Sequence, residues 1–344
     1  MSGKSLTVRE QILNLVRSNA RTGIYQRDIQ KTLGISKSYC SEQLTYLSRV
    51  SQKIAKRKEG GLTKIYEIEY FPGILKGVLR IGMLKSSEYV PSIATFHTIF
   101  GSDRYRIFVR FYNSTRQLIQ DFNMGTLEIM LAPTKSIIMS GIMGENLKVI
   151  SGLASGGSGI ISHDEGREAI LSTELSSMIS LASDSTHNYL PEDIESYDDP
   201  TSAVSAYISG ECNKIAIWEP YFSDIIKIPG NSILLKYNDI MGDFPCCCAA
   251  VNINFYEIAG NEIRQWNSDY RRLTTVYDID IRELNNAIIL ISDATGIEKS
   301  VVEKSLENYS FNSNTISMML LKKMGVGLSE RQKQNIFLPG VLVD

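Results

Sequence analysis

Residues 125–160 read GTLEIMLAPTKSIIMSGIMGENLKVISGLASGGSGI. The block GTLEIMLAP predicts a strand, the following stretch a helix, and NLKVISGLA a second strand that runs into the loop Ser155-Gly156-Gly157-Ser158-Gly159. The same alternation continues upstream. VLRIGML (78–84) reads as a strand, a Ser-rich turn leads to a helix from about Pro91, Ile107–Phe111 is a strand, and Ser114–Met124 a helix. Downstream, Glu165-Gly166-Arg167 is expected to open a helix, and DIESYDDPTSAVSAYISGECNKIAIWEPY (193–221) holds a strand, a helix and a strand. An apolar strand from Asp243 to Phe255 carries three cysteines, and the stretch from Asp278 to about Met324 is largely helical. Strands alternating with helices imply a mainly parallel α/β sheet, whose ligands collect at the carboxyl ends of the strands.

The first seventy residues have a different pattern. Val8, Ile12, Leu15 and Val16 recur at helical spacing; Ile24, Ile29 and Leu33 mark a short second helix ended by Gly34; Ser36 caps a third in which Cys40, Leu44 and Leu47 share a face. Two short helices joined by Leu33-Gly34-Ile35-Ser36 form a helix-turn-helix pattern. Ile54 and the basic run Lys56-Arg57-Lys58, the turn Glu59-Gly60-Gly61 and the return through Ile65, Tyr66 and Ile68 form a β-hairpin wing. Phe71-Pro72-Gly73 is a short linker.

Charge separates the same two parts. The 344 residues carry a net −2, but residues 1–70 hold 13 Lys/Arg against 6 Asp/Glu, a balance of +7. The remainder holds 36 − 13 = 23 basic against 38 − 6 = 32 acidic residues, or −9. A basic head on an acidic body points to a polyanion partner for the head alone. The apolar fraction of 43% and charged fraction of 22% are ordinary for a globular protein. No signal-like opening and no apolar run long enough to span a bilayer are visible, so a cytoplasmic location and no membrane contact are expected. Five cysteines, three of them adjacent, do not form a disulfide framework, and free thiols are expected.

YQRDIQKTLGISKSYCSEQLTYLSRV (25–50) together with the wing resembles winged helix-turn-helix regulators of the MarR or Lrp type over residues 5–70. The resemblance implies a third helix in the major groove of double-stranded DNA, with Ser36, Lys37, Ser38, Tyr39, Glu42, Gln43 and Tyr46 outward. Gln43 is the candidate base reader, while Lys37, Ser38 and Tyr39 are expected on phosphate. Lys56, Arg57, Lys58 and Lys64 on the wing would add sequence-independent attraction. Cys40 stands where that family usually has Val and reads as a small core residue.

The body resembles type II periplasmic-binding-protein folds of the NMT1/THI5-like, nitrate/sulfonate/thiamine-precursor-binding branch. Leu79-Arg80-Ile81-Gly82, GTLEIMLAP, the GGSGI loop and ISGECNKIAIWEPY carry the resemblance, with Cys212-Asn213-Lys214 in place of the family's usual Val-Asp-Ala. The expected architecture is multidomain: an α+β winged helix-turn-helix at 1–70, a linker at 71–77, and a two-lobed α/β ligand-binding domain at 78–325. Lobe 1 is expected at about 78–161 and 252–325 and lobe 2 at about 162–251, with a tail at 326–344. Cleft residues implied by the resemblance are Ser86, Ser87, Glu88, Tyr89, Pro133, Thr134, Lys135, Ser155, Gly156, Gly157, Ser158, His163, Arg167, Trp218 and Glu219. Two lobes closing on a small polar metabolite, a pyrimidine or thiamine precursor by the resemblance, would shift the attached heads of a homodimer.

The run Cys246-Cys247-Cys248 admits three readings: small buried strand residues, thiols lining the cleft as a metal or redox sensor helped by Cys212 or His163, or part of a metal cluster. On a regular strand Cys246 and Cys248 would face one way and Cys247 the other. The pyrimidine synthase of the family carries the longer run CCCFC, linked there to iron. Ala132 and Ser136 stand where that synthase has its cofactor lysine and its histidine, so a non-enzyme is expected, with synthase activity as the alternative. With only His97, His163 and His187 in the chain and no H-E-x-x-H, P-loop or C-x-x-C pattern, other catalytic motifs are absent.

Overall fold

The computed structural model describes residues 6–101, 104–144, 146–173, 193–276, 279–311 and 314–344. It divides into two compact units, one running to Ile74 and taking in Met124–Thr126, the other comprising Leu75–Asn123 and Leu127–Asp344. His187 lies outside the described residues.

The first unit contains α1 (Val8–Ser18), β1 (Ile24–Tyr25), α2 (Gln26–Leu33), α3 (Lys37–Arg49), β2 (Ile54–Glu59) and β3 (Leu62–Glu67). Thr7 and Glu10 form a reciprocal capping box that starts α1. Gly34 ends α2 at φ 63°, a left-handed conformation that costs a residue without Cβ nothing. Two residues later the Ser36 hydroxyl accepts the Tyr39 N–H at 3.2 Å and starts α3. β2 and β3 form an antiparallel hairpin turned at Gly60-Gly61, and β1 adds to the far edge of β3. Ile12, Val16, Ile29, Cys40, Leu44, Leu47, Ile54 and Ile65 are the shared core. Cys40 is therefore a packing residue, as its helical spacing implied.

The second unit opens with β4 (Val78–Leu84), α4 (Val90–Phe100), β5 (Arg106–Tyr112), α5 (Thr115–Asn123), β6 (Ile129–Pro133), α6 (Thr134–Ile142) and β7 (Leu147–Gly152). The chain then crosses through β8 (Ser155–Gly156) into β9 (Ser158–His163), β10 (Ile170–Thr173), β11 (Ile194–Tyr197), α7 (Pro200–Ile208), β12 (Lys214–Trp218), α8 (Tyr221–Ile225), β13 (Asn231–Lys236) and α9 (Tyr237–Met241). It returns through β14 (Cys247–Asn252), followed by α10 (Ile253–Val276), α11 (Ile281–Thr295), α12 (Lys299–Ser305), β15 (Tyr309–Ser310), β16 (Ile316–Ser317), α13 (Met318–Lys323), α14 (Glu330–Ile336) and β17 (Leu342–Val343).

Two five-stranded sheets result, ordered β5-β4-β6-β14-β7 and β11-β10-β12-β9-β13. In each, one strand runs against the others, β14 in the first and β9 in the second. These are the strands that begin just after the chain has changed lobe. A two-lobed α/β architecture with exchanged strands follows.

Three expectations need correcting. The lobe boundaries fall earlier than 161 and 251, because β9 from Ser158 belongs to the second sheet and β14 from Cys247 to the first. Glu165–Arg167 do not open a helix: Arg167 O accepts the Ala169 and Asn213 N–H groups, and the chain enters β10 directly. Residues 326–344 are not a loose tail. Phe337 bridges Val149, the Leu338 N–H donates to Val149 O, and β17 pairs with β16.

The first lobe is held by two kinds of buried contact. Phe96 and Trp266 stack at 4.3 Å between α4 and α10, and the indole N–H donates to Thr95 Oγ1 at 3.0 Å. Arg80 and Glu128, both essentially shielded from solvent, form a forked ion pair beneath β4.

Candidate functional site

A pocket of about 510 Å³, counting space open to solvent, lies between the lobes of the second unit. The end of β4 and the turn after it supply Leu84, Ser86, Glu88 and Tyr89; β6 ends there at Pro133; Gly156, Gly157 and Ser158 come from the first crossing; Trp218 comes from the end of β12. Strand ends meeting at a cleft are where an α/β fold leaves backbone groups and loops free to bind.

The described residues that line it include no lysine or arginine. The acid is Glu88, only 2% exposed. Its carboxylate accepts the Ala154 N–H at 3.1 Å and stands 3.7 Å from Cys246 Sγ. Burial pushes it from 4.5 to about 7, against the opposing pull of its contacts with Cys247, the Ala154 N–H and Cys246. Cys246 Sγ lies 4.0 Å from Cys247 Sγ, and the Tyr89 hydroxyl donates to Cys247 Sγ at 3.3 Å. The thiol–thiol contact, followed by burial, holds Cys247 well above its ordinary range, and burial does the same to Tyr89.

Of the residues named for the cleft, Ser86, Glu88, Tyr89, Pro133, Gly156, Gly157, Ser158 and Trp218 line this one pocket. The Trp218 indole donates to Lys85 O at 2.9 Å, which fixes the ring as a pocket wall. The other expected residues are engaged elsewhere. Ser87 accepts from Ser305, Thr134 clamps Pro245 O, and Ser155 donates to Asp243 and Ser310 O. Glu219 accepts from Ser223 and Asn308, and Lys135 does not line the pocket. His163 ends β9 five residues beyond Ser158, about 16 Å along an extended strand. Arg167 pairs with Glu195 and Cys212 and is likewise outside the pocket.

Sequence reasoning missed Leu84, Thr115, Thr173 and Tyr309, and the alternation expected along the cysteine run does not hold. It fails because Cys246 lies in the bend after Pro245, before β14 begins. Cys246 and Cys247 both reach the pocket, whereas Cys248 is fully buried within the sheet, its thiol raised by burial. Tyr309 had no signal in the sequence: it arrives through the β15–β8 pairing, which sets it opposite Gly156.

In the first unit, α3 exposes Lys37, Ser38, Tyr39, Glu42 and Tyr46 along with the capping Ser36, and the hairpin exposes Arg57 and Lys58. Gln43 is 5% exposed and accepts the Arg9 Nε at 2.7 Å, so it faces α1 rather than outward. The Arg9 guanidinium also lies 3.6 Å over the Tyr46 ring. Lys56 is half-buried against Thr45, and Lys64 pairs with Glu59.

No family model and no curated protein sequence matches the chain. Solved structures do match it. A ligand-binding component of an ABC-type import system from Staphylococcus aureus, with zinc bound, has 14% identity over 77% of this chain and 98% of that one, at a TM-score of 0.61. The alkanesulfonate-binding protein SsuA from Xanthomonas axonopodis pv. citri, bound to MOPS, has 18% identity over 73% and 91%, at 0.56. The periplasmic nitrate-binding protein NrtA from Synechocystis PCC 6803 has 11% over 68% and 71%, at 0.52.

The body has the two-lobed periplasmic-binding-protein fold. These similarities also overturn the expected cytoplasmic location, because the similar structures are of import-system and periplasmic proteins. Among the described residues no helix is long and apolar enough to cross a membrane.

Proposed function

We propose that the chain is a ligand-responsive regulator: the body binds a small polar molecule in the interlobe pocket, and the first unit, a winged helix-turn-helix, binds duplex DNA. The observation that carries the DNA half is the excess of seven positive charges in residues 1–70. Lys37, Arg57 and Lys58 are exposed on α3 and the hairpin. The order helix, strand, helix, helix, hairpin supports the same reading.

For the ligand half, pocket chemistry narrows the class. Ser86, Ser158 and Tyr309 offer hydroxyls, Trp218 a ring, and Glu88 a carboxyl without a cationic partner among the described lining residues. Such a site suits a neutral or cationic molecule that donates N–H groups, an aminopyrimidine for example. The heads would work in pairs, as a homodimer on two half-sites, and differential affinity for the closed form would couple the two halves. Ala132 lies within β6, and no described lysine lines the pocket, which supports a binding protein rather than a synthase.

The test is binding of the full chain to a pool of short duplexes at low salt, read by fluorescence anisotropy. Binding should weaken linearly in log–log form with salt. Arg57→Ala with Lys58→Ala should flatten that slope by about 1 for each phosphate that is no longer neutralised. Gln43→Ala should leave sequence preference unchanged. A chain that ignores every duplex, or a double variant with the parental slope, refutes the DNA half.

A further inference from the structure

Glu88, Cys246 and Cys247 form a compact set of donors that the small-molecule reading does not use. Their ligating atoms all lie within 4.8 Å of one another. A tetrahedral divalent ion with metal–sulfur bonds of about 2.3 Å and metal–oxygen bonds of about 2.1 Å sets sulfur–sulfur and sulfur–oxygen separations of about 3.8 Å and about 3.6 Å. The separations found are 4.0 Å between the two sulfurs and 3.7 Å between Cys246 Sγ and Glu88 Oε2. Two of the three separations thus lie within about 0.2 Å of those such an ion would set, and the third lies within 4.8 Å.

A second observation points to a cation. Glu88 is 98% buried, 2% being exposed, and it lines the pocket. Among the described residues its carboxylate meets the Ala154 N–H and the two thiols, and no basic side chain. A buried carboxylate aimed into a cavity without a counter-charge is an unmet electrostatic demand.

We infer that Glu88, Cys246 and Cys247 bind a thiophilic divalent cation inside the ligand pocket. Two sulfurs select zinc or cadmium over magnesium or calcium, which need six or more oxygens. The Tyr89 hydroxyl, 3.3 Å from Cys247 Sγ, donates to the thiolate and steadies it. Thr134, at the start of α6, donates its N–H to Cys246 O at 2.9 Å and its hydroxyl to Pro245 O at 3.0 Å, which fixes the bend that presents Cys246. Each thiol gives its proton to solvent as the ion binds. The fourth position faces the pocket, open to water or to a lone pair of the organic ligand. Cys248, buried within the sheet, takes no part. The inference rests on the pocket being the binding site, but its test uses neither DNA nor an organic ligand.

The full chain, reduced and stripped with a chelator, is titrated with Cd²⁺ and then with Zn²⁺. One equivalent of Cd²⁺ should bind, with the ultraviolet charge-transfer band of two thiolates, and Zn²⁺ should abolish the band. Cys246→Ser alone should halve the band; because Cys246 is part-exposed, it is the variant least prone to misfold. Cys246→Ser with Cys247→Ser should remove the band, with far-ultraviolet circular dichroism as the folding check. Tyr89→Phe should weaken binding about tenfold, and Cys40→Ala, Cys212→Ala and Cys248→Ala should leave the band intact. Absence of a saturable band in the parent chain, or a full band in the double serine variant, overturns the site. Neither result would touch small-molecule binding measured without metal.

Discussion

Replacing Glu88 by Gln should change how stability depends on pH. In the folded, metal-free chain burial holds this carboxyl at about 7, against 4.5 for an exposed one. That difference corresponds to about 3 kcal/mol between the two protonation states. A raised value means that the folded state prefers the proton. The stabilisation is therefore fully present below about 4.5 and is lost as pH rises through about 7. Gln keeps the shape and can still accept the Ala154 N–H, but it has no proton to lose. Urea unfolding with a chelator present should give wild type and Glu88→Gln similar stabilities at about pH 5, with the variant ahead by up to about 3 kcal/mol at about pH 8.5. Burial also raises Glu219, but that group is common to both proteins and cancels in the difference. Parallel pH curves for the two proteins would show that Glu88 is already ionised and compensated at neutral pH, and the electrostatic account of the pocket would fail.

Two further substitutions probe the frame around the pocket. Arg80→Met leaves the Glu128 carboxylate buried without its partner and should cost about 3–5 kcal/mol in urea unfolding; adding Glu128→Leu should recover most of the loss, and a single variant as stable as the parent would contradict the burial. Gly157→Ala places a Cβ 2.0 Å from the Tyr309 ring at φ 65°, so it should cost about 1–3 kcal/mol and weaken ligand binding; unchanged unfolding would show that Tyr309 is free to move.

Local chemistry made most of the fold legible in the sequence. Gly34 and Ser36 announce the turn between α2 and α3, and the apolar blocks at 78–84 and 129–133 announce central strands that solvent does not reach. The places where reading fails depend on long-range contacts. The resemblance places Gln43 outward, yet it flanks the face of Cys40, Leu44 and Leu47, and Arg9, 34 residues away, donates to it there. The cysteines look alternating, yet the bend at Pro245–Cys246 breaks the pleat before the strand starts, and Thr134 ties that bend down from another element. Tyr309 enters the pocket through a two-residue pairing that no local pattern encodes. Residues that the loops bring to the strand ends could be named because a resemblance gave the topology; their charge environment could not.

That environment bears on the ligand in a way the fold shared with a sulfonate-binding and a nitrate-binding protein does not. An anion placed about 4 Å from an ionised Glu88 meets a repulsion of about 4 kcal/mol at an effective dielectric near 20, about three orders of magnitude in affinity. No lysine or arginine among the described lining residues offsets it. Protonating Glu88 removes the repulsion but still supplies no attraction. A shared scaffold therefore does not fix the sign of the ligand: the fold fixes where strand ends converge, and the groups placed there decide what charge is welcome. In this chain the groups at that convergence include an acid and two thiols, with no lysine or arginine among the described lining residues, which is why the proposed ligand is neutral or cationic.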